Sequence, residues 1–297
     1  MLMGPQNWPE RLDQVRGRLE KAALEAGRSV DSITLLGVTK GQPAEIVRAA
    51  AAAGIRDFGE SYLQEALEKI ATVEPPGPTG EPVAHGSSNR AVSEGIPNGD
   101  NRAASEGIPS GDGLAAREQP APAGSQRPAA PDKPALPGGG LTWHFIGRLQ
   151  SNKTRPVAET FAWVHAVDRL KVAQRLSEQR PYYAPPLNVC LQVNVAGEDS
   201  KGGVGFDELP ALAAAVAELP RLKLRGLMCL PPEEDDPARQ RHWFRKLREA
   251  FDRLNETGGM KLDTLSMGMS GDLEAAILEG ATIVRVGTAL FGPRPTL

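Results

Sequence analysis

Short apolar runs alternate with helical stretches along this chain, and that alternation restricts its possible folds more than any other feature. The apolar runs are typical of buried strands, and the stretches between them have apolar positions three or four residues apart, which is typical of helices. The runs are 33–39, 55–58, 142–146, 163–167, 188–195, 224–230, 264–267 and 283–286. The helical stretches include 44–53, 61–73, 169–180, 207–219, 237–257 and 273–278, with a further one, 9–26, before the first run. Parallel strands with helical crossovers are therefore predicted, and eight of them predict a single (β/α)8 TIM barrel.

One segment, residues 74–140, breaks this alternation. It is rich in Pro, Gly, Ser and Ala and has few large apolar side chains, so it cannot bury enough surface to offset its ordering entropy. Within it, residues 89–100 (NRAVSEGIPNGD) are followed by a near copy, residues 101–112 (NRAASEGIPSGD). Two polar copies do not make a solenoid. We expect a disordered low-complexity insertion at the bottom of a barrel that is made of residues 1–73 and 141–297.

Composition excludes several classes of partner. The chain has 297 residues, of which 40% are hydrophobic, so it can bury one large core. Its formal net charge is −3, so it has no excess of basic residues with which to bind nucleic acid or a membrane surface. It shows no signal-peptide pattern and no long apolar stretch, so we expect a cytoplasmic protein. Cys190 and Cys229 fall inside predicted strands, where buried thiols are expected. No spacing of His, Cys, Asp or Glu indicates a metal site.

Residues that follow the predicted strands should meet at one end of the barrel, where such barrels keep their chemistry. Lys40 follows the first strand, and its amine can form a Schiff base if burial near a cation such as Arg285 lowers its pKa. The loops 266–272 and 287–288 follow the last two strands and have small and hydroxyl side chains suited to phosphate. Other residues at this end are Gly59, Glu60, Ser61, 147–150, Asp168, Asn194 and Met228. A lysine beside a phosphate cradle favours pyridoxal phosphate.

Each of these features also has a structural interpretation. Lys40 can be a solvated charge, the glycine–serine turns can be ordinary loops, and Arg285 can form a salt bridge. His144 is better explained as a core histidine than as a base. A phosphosugar enzyme in which Lys40 binds the sugar also fits. The residue pattern alone leaves the function open.

Seven motifs, in order along the chain, connect it with a known family. They are LLGVTK (35–40), FGESYLQE (58–65), WHFIGRLQSNK (143–153), QVNV (192–195) with DSKGG (199–203), RGLM (225–228), LSMGMS (265–270) and RVGTALFG (285–292). Together they closely resemble the pyridoxal phosphate homeostasis proteins of the YggS/PROSC type. The resemblance extends along the whole chain outside the insertion.

This resemblance implies a barrel like the N-terminal domain of alanine racemase, with pyridoxal 5'-phosphate held as a Schiff base on Lys40. It also implies that Arg285 faces the pyridine nitrogen. The residues implied to hold the phosphate are Ser266, Ser270, Gly287 and Thr288. Family members carry Asn where this chain has Ser61, which puts any contact of that amide in doubt, because a hydroxyl is shorter and lacks the two amide donors.

The resemblance also bears on catalysis. An arginine beside the pyridine nitrogen keeps it unprotonated and disfavours carbanion formation. Racemases need a second base, and none of Tyr62, Tyr182 and Tyr183 is expected to supply it. We therefore expect a non-catalytic protein that stores and delivers pyridoxal phosphate, with no catalytic residues. The alternatives are a pyridoxal-phosphate enzyme with weak amino-acid racemase activity and an interaction protein that acts through the insertion. We expect a monomer that contacts pyridoxal-phosphate-dependent enzymes transiently.

Overall fold

Eight parallel strands pair in chain order, and the eighth pairs with the first to close a barrel. The computed structural model describes residues 8–74, 140–198 and 202–293. The strands are β1 (Thr34–Val38), β2 (Asp57–Glu60), β3 (Thr142–Phe145), β4 (Trp163–Val167), β5 (Leu187–Val193), β6 (Leu222–Cys229), β7 (Thr264–Ser266) and β8 (Ile283–Val286). The predicted TIM barrel is confirmed, and the predicted strands differ from these only by one or two residues at their ends.

Helices surround the strands. They are α1 (Trp8–Glu25), α2 (Ala44–Ala52), α3 (Leu63–Val73), α4 (Thr154–Thr160), α5 (Leu170–Gln179), α6 (Leu209–Ala217), α7 (Pro237–Glu256), α8 (Leu273–Leu278) and α9 (Thr288–Phe291). α1 packs against α8 and α9, so it covers the barrel wall beside the last strand. α7 begins where the Asp236 side chain accepts a hydrogen bond from the Ala238 N–H, with Pro237 in the first helical position.

The short helix α4 is not among the predicted helices. It has seven residues, too few for an apolar period to stand out in the sequence. Pro156 lies in its first turn, where the missing N–H costs no helical hydrogen bond.

The predicted insertion separates α3 from β3. Its tandem repeat lies outside the described residues, so the prediction of disorder stays a prediction.

The core has two layers. One fills the space between the strands and the surrounding helices. The second is inside the barrel, where Leu36, Trp163, Cys190, Met228 and Ile283 pack together from strands on opposite sides. Both cysteines are buried free thiols, and burial raises the pKa of each to about 12.

None of the helices in residues 8–74, 140–198 and 202–293 combines the length and the apolar character needed to span a membrane. In the same ranges, no three side chains of His, Cys, Asp or Glu are grouped so that they could hold a metal ion.

Candidate functional site

Lys40 lies in the turn after β1, and its side chain is half-buried. The backbone on both sides of it is held by α3. Lys69 Nζ donates to the Thr39 carbonyl oxygen at 2.6 Å, and the Gly41 N–H donates to Glu65 Oε1 at 2.6 Å. Because Lys69 and Glu65 belong to the same helix, α3 sets the backbone position of Lys40.

A buried ion pair supports this arrangement. Lys69 Nζ is 2.6 Å from Glu60 Oε1 and 2.8 Å from Glu65 Oε1. Glu60 is 0% exposed, and its second oxygen, Oε2, has no hydrogen-bond partner among the residues that the structure describes. Burial raises the pKa of Glu60, while the attraction of Lys69 opposes that rise. We call Glu60, Glu65 and Lys69 the Lys69 clamp.

The loops after β7 and β8 are joined by Ser270. Its Oγ accepts a hydrogen bond from the Ala289 N–H at 3.2 Å. α1 braces the same loop, because Arg18 Nη2 donates to the Ser270 carbonyl oxygen at 2.9 Å. The Arg18 guanidinium also forms an ion pair with Glu274 at 2.6 Å. The position of Ser270 therefore depends on both α1 and α9.

Gly287 and Thr288 form a turn against the end of β1. β8 pairs with β1, and a side-chain carbon on Gly287 would lie 3.2 Å from the Val38 carbonyl oxygen, closer than ordinary van der Waals contact. Thr288 is exposed and opens α9. The Ala289 N–H donates to Ser270 Oγ, and the next two N–H groups of α9 donate to the Gly287 carbonyl oxygen. The Thr288 N–H and hydroxyl are therefore the donors that this turn offers, at the end of the barrel where Lys40 lies.

Arg285 and Ser266 lie deeper, inside the barrel, and both are buried. The Arg285 guanidinium donates to Ser266 Oγ at 2.8 Å and to the Cys229 carbonyl oxygen at 2.9 Å. Burial lowers the pKa of Arg285. Arg285 makes no ion pair with any residue in the described ranges. The structure thus groups Ser266 with Arg285 rather than with Ser270 and the Gly287–Thr288 turn.

Three more buried polar side chains continue from Ser266 across the barrel. Ser266 Oγ is 2.8 Å from His165 Nδ1, and His165 Nε2 is 2.9 Å from His144 Nδ1. His144 Nε2 is 3.2 Å from Asp57 Oδ1. The interpretation of His144 as a core histidine is confirmed. His165 and Asp57 are absent from the sequence-based candidates, because strand periodicity shows that they point inward but not that they connect.

The mouth of the barrel is the end at which the strands finish and Lys40 lies. Other residues predicted at this mouth either line a pocket or bind their neighbours in the sequence. Ser61 and residues 148–150 line an open pocket of about 750 Å³, together with Tyr62 and Arg169. Asp168 forms an ion pair with Arg169 at 2.6 Å. The Asn194 side chain is used in its own loop, where its Oδ1 accepts from the N–H groups of residues 197 and 198.

The predicted position of Glu60 at the mouth is wrong. A side-chain carbon on Gly59 would touch Leu36, which belongs to the core inside the barrel. Successive side chains of a strand point to opposite faces, so Glu60 points outward, to Lys69 on α3.

Known proteins resemble this chain over nearly its whole length. Residues 12–295 match the family described as alanine racemase, N-terminal domain. The pyridoxal phosphate homeostasis protein of Pseudomonas aeruginosa is 48% identical, over 96% of this chain and 95% of that protein. The protein of the same name from Escherichia coli K12 is 42% identical, over 95% of each. The chain belongs to the pyridoxal phosphate homeostasis protein family.

Solved structures agree with this membership of the pyridoxal phosphate homeostasis protein family. PipY from Synechococcus elongatus PCC7942, solved without PLP, is 30% identical with a TM-score of 0.65, over 95% of this chain and 99% of that one. PipY with PLP bound is 28% identical with a TM-score of 0.63, over 93% and 100%. An alanine racemase from Clostridium difficile 630 shares the fold alone, at 12% identity and a TM-score of 0.58, over 100% of this chain and 61% of that one.

Proposed function

We propose that this chain binds pyridoxal 5'-phosphate and serves its homeostasis in the cell, as a store and donor rather than as an enzyme. The observation that carries the proposal is that β1 and β8 are neighbours in the barrel, so that Lys40, after β1, and the Gly287–Thr288 turn, after β8, follow adjacent strand ends. Support also comes from the relatives named pyridoxal phosphate homeostasis proteins and from the PipY structure with PLP bound.

The side chains at the mouth suit an aldehyde and a phosphate. Lys40 would hold the cofactor through a Schiff base, in which Nζ would replace the aldehyde oxygen and that oxygen would be released as water. The hydroxyls of Ser270 and Thr288 and the Thr288 N–H are the phosphate donors. Residues 285–292 contain no carboxylate that would repel the phosphate, and Gly287 leaves the backbone open to close approach.

Arg285 is the residue that faces the pyridine nitrogen. A guanidinium only donates hydrogen bonds, so it leaves that nitrogen without a proton. Beside Arg285 a bound pyridine ring would withdraw electrons weakly, which would suit a protein that holds the cofactor without turning over amino acids. Ser266, which the resemblance implies as a phosphate ligand, serves instead to hold Arg285 in place.

Lys40 is tested by substitution. Purified wild-type protein should gain a visible absorbance band with pyridoxal phosphate, and Lys40→Ala should not. Lys153→Ala is the matched control, because Lys153 is an exposed lysine that lines the mouth pocket, and it should keep the band. Borohydride reduction followed by peptide mass spectrometry should place the adduct on Lys40. No band in wild type, with cofactor in excess, would reject the proposal.

The racemase alternative requires a second base. Tyr182 and Tyr183 lie between α5 and β5, at the end of the barrel opposite Lys40, whereas Tyr62 lines the mouth pocket. We expect no exchange of an amino-acid α-hydrogen when the loaded protein is incubated in deuterated water. Exchange that disappears in Tyr62→Phe would favour the racemase instead.

A further inference from the structure

Arg285 is a buried cation with no carboxylate within ion-pair distance among the described residues. A row of four hydrogen-bonded side chains nevertheless begins at Arg285 and ends at a carboxylate. They are Ser266, His165, His144 and Asp57, from β7, β4, β3 and β2. We propose that these four are positioning residues, which hold Arg285 in one orientation through a one-way chain of hydrogen bonds that ends at the Asp57 carboxylate. Only the effect on cofactor binding rests on the proposed function.

The direction of the chain follows from its Arg285 end. A guanidinium has donors and no acceptor, so Ser266 Oγ must accept from Arg285. His165 is the one other side chain that Ser266 Oγ contacts in the described part of the chain. A buried hydroxyl is costly without an acceptor, so the Ser266 hydrogen goes to His165 Nδ1. That nitrogen therefore carries no proton.

The two rings then continue in the same direction. Burial, with the charge of Arg285, holds the pKa of His165 well below its usual value, so the ring is neutral and its proton is on Nε2. His165 Nε2–H donates to His144 Nδ1, and the His144 proton on Nε2 donates to Asp57 Oδ1. Once the Ser266 hydrogen is placed on the bond to His165, each group accepts from one neighbour and donates to the next, and all three contacts are satisfied.

The hydrogen-bonded side chains also connect Arg285 with a negative charge, that of the Asp57 carboxylate. A buried guanidinium loses its hydration, and a carboxylate reached through polarised hydrogen bonds offsets part of that loss. Asp272 attracts Arg285 as well, but its Oδ1 accepts from the Met269 N–H at 2.5 Å and so belongs to the loop after β7. The Asp57 carboxylate ends the hydrogen-bond chain, and through that chain it sets the orientation of the Arg285 guanidinium.

Nuclear magnetic resonance of the protein without cofactor tests the direction in which the hydrogen bonds run from Arg285 to Asp57. Long-range ¹H–¹⁵N correlations distinguish protonated from unprotonated ring nitrogens, and the chain has only four histidines. We expect one proton on Nε2 of both His144 and His165, with His144→Asn and His165→Asn used for assignment. A proton on Nδ1 of either ring at neutral pH would overturn the proposal. Wild-type protein decides this point, even if a variant does not fold.

Substitution of Asp57 tests the effect on the site. Asp57→Asn should raise the Kd for pyridoxal phosphate about tenfold and shift the visible band, because the arginine loses its charged partner. Asp263→Asn is the matched control, since Asp263 pairs at 2.8 Å with Arg225, a buried arginine that lies over the Trp163 ring. It should change the Kd less than about twofold and leave the band in place. Equal effects from the two variants would refute the positioning role. Wild type that binds no cofactor would reject the proposed function and leave the proton assignments standing.

Discussion

Lys69 holds the Thr39 carbonyl oxygen directly and Gly41 through its ion pair with Glu65, while its own charge stays buried. Lys69→Met keeps the length of the side chain and removes that charge. Because Glu60 is left buried without a cation, we expect a loss of about 3–5 kcal/mol in the free energy of unfolding, measured by urea denaturation at neutral pH. Lys153→Met, at an exposed position, should change it by no more than about 0.5 kcal/mol. Similar small losses in both variants would contradict a structural role for the clamp.

Glu60 should make the stability loss in Lys69→Met depend on pH. Its folded-state pKa is raised by burial above the ordinary 4.5, so its contribution to stability is present below 4.5 and is lost as pH rises through the folded value. Lys69 opposes the rise in pKa. In Lys69→Met the pKa should rise further, and stability relative to wild type should fall as pH increases above 4.5. Glu60→Gln in the Lys69→Met background should abolish this slope in denaturation curves measured across that range. A slope that survives would assign it to another group.

Gly287 tests how closely the phosphate approaches the backbone. In Gly287→Ala the new methyl group lies 3.2 Å from the Val38 carbonyl oxygen, so the neighbours must shift slightly and stability should fall by about 1 kcal/mol. The Kd for pyridoxal phosphate, measured by equilibrium dialysis, should rise by about tenfold or more. Gly205→Ala meets no atom within 4 Å and should change neither quantity. An unchanged Kd in Gly287→Ala would locate the phosphate elsewhere.

At the scale of elements, α1 supports the site from outside the barrel. Arg18→Ala removes the links from α1 to Ser270 and Glu274. The pair is partly exposed, so stability should fall by no more than about 1 kcal/mol. The Kd should rise roughly threefold to tenfold, because the Ser270 loop loses its brace. Arg16→Ala, on the same helix but bonded to the Ala53 carbonyl oxygen, should leave the Kd unchanged, and matching effects would mean that α1 acts only on overall stability.

The sequence predicts which strands and helices exist. It does not predict which of their side chains come into contact. Apolar period and strand length predict all eight strands, because each must bury a face regardless of its neighbours. The seven-residue α4 gives too short a signal. The outward turn of Glu60 follows from the alternation of β2, but its partner Lys69 is visible only once α3 is packed against that strand.

The site was predictable to different degrees. Lys40 and the Gly287–Thr288 turn stand at strand ends, so strand order alone brings them together. Ser266 also ends a strand, yet whether it serves a ligand or Arg285 depends on which buried partner is within reach. Sequence periodicity does not predict which side chains of different strands come within hydrogen-bond distance. For the same reason His165, which contacts Ser266, is not among the predicted site residues.

For the whole molecule, the barrel should not need the segment between α3 and β3. Deleting residues 81–129 should keep the cooperative unfolding transition and the Kd for pyridoxal phosphate. Stability should be equal or up to about 1 kcal/mol higher, since each halving of a loop saves about 0.6 kcal/mol of closure entropy. Thermal and urea unfolding of the full chain and the deletion variant provide the measurement. A lost transition would show that the segment contributes to the fold.

The chain leaves the barrel after α3 and returns before β3, at the end opposite Lys40. Sequence inserted at this point can be copied, lengthened or exchanged over evolutionary time while the residues around the lysine stay under separate selection. The near-identical copies at 89–100 and 101–112 are consistent with such a history. The same position is where a fluorescent reporter domain could be inserted to follow this protein in living cells.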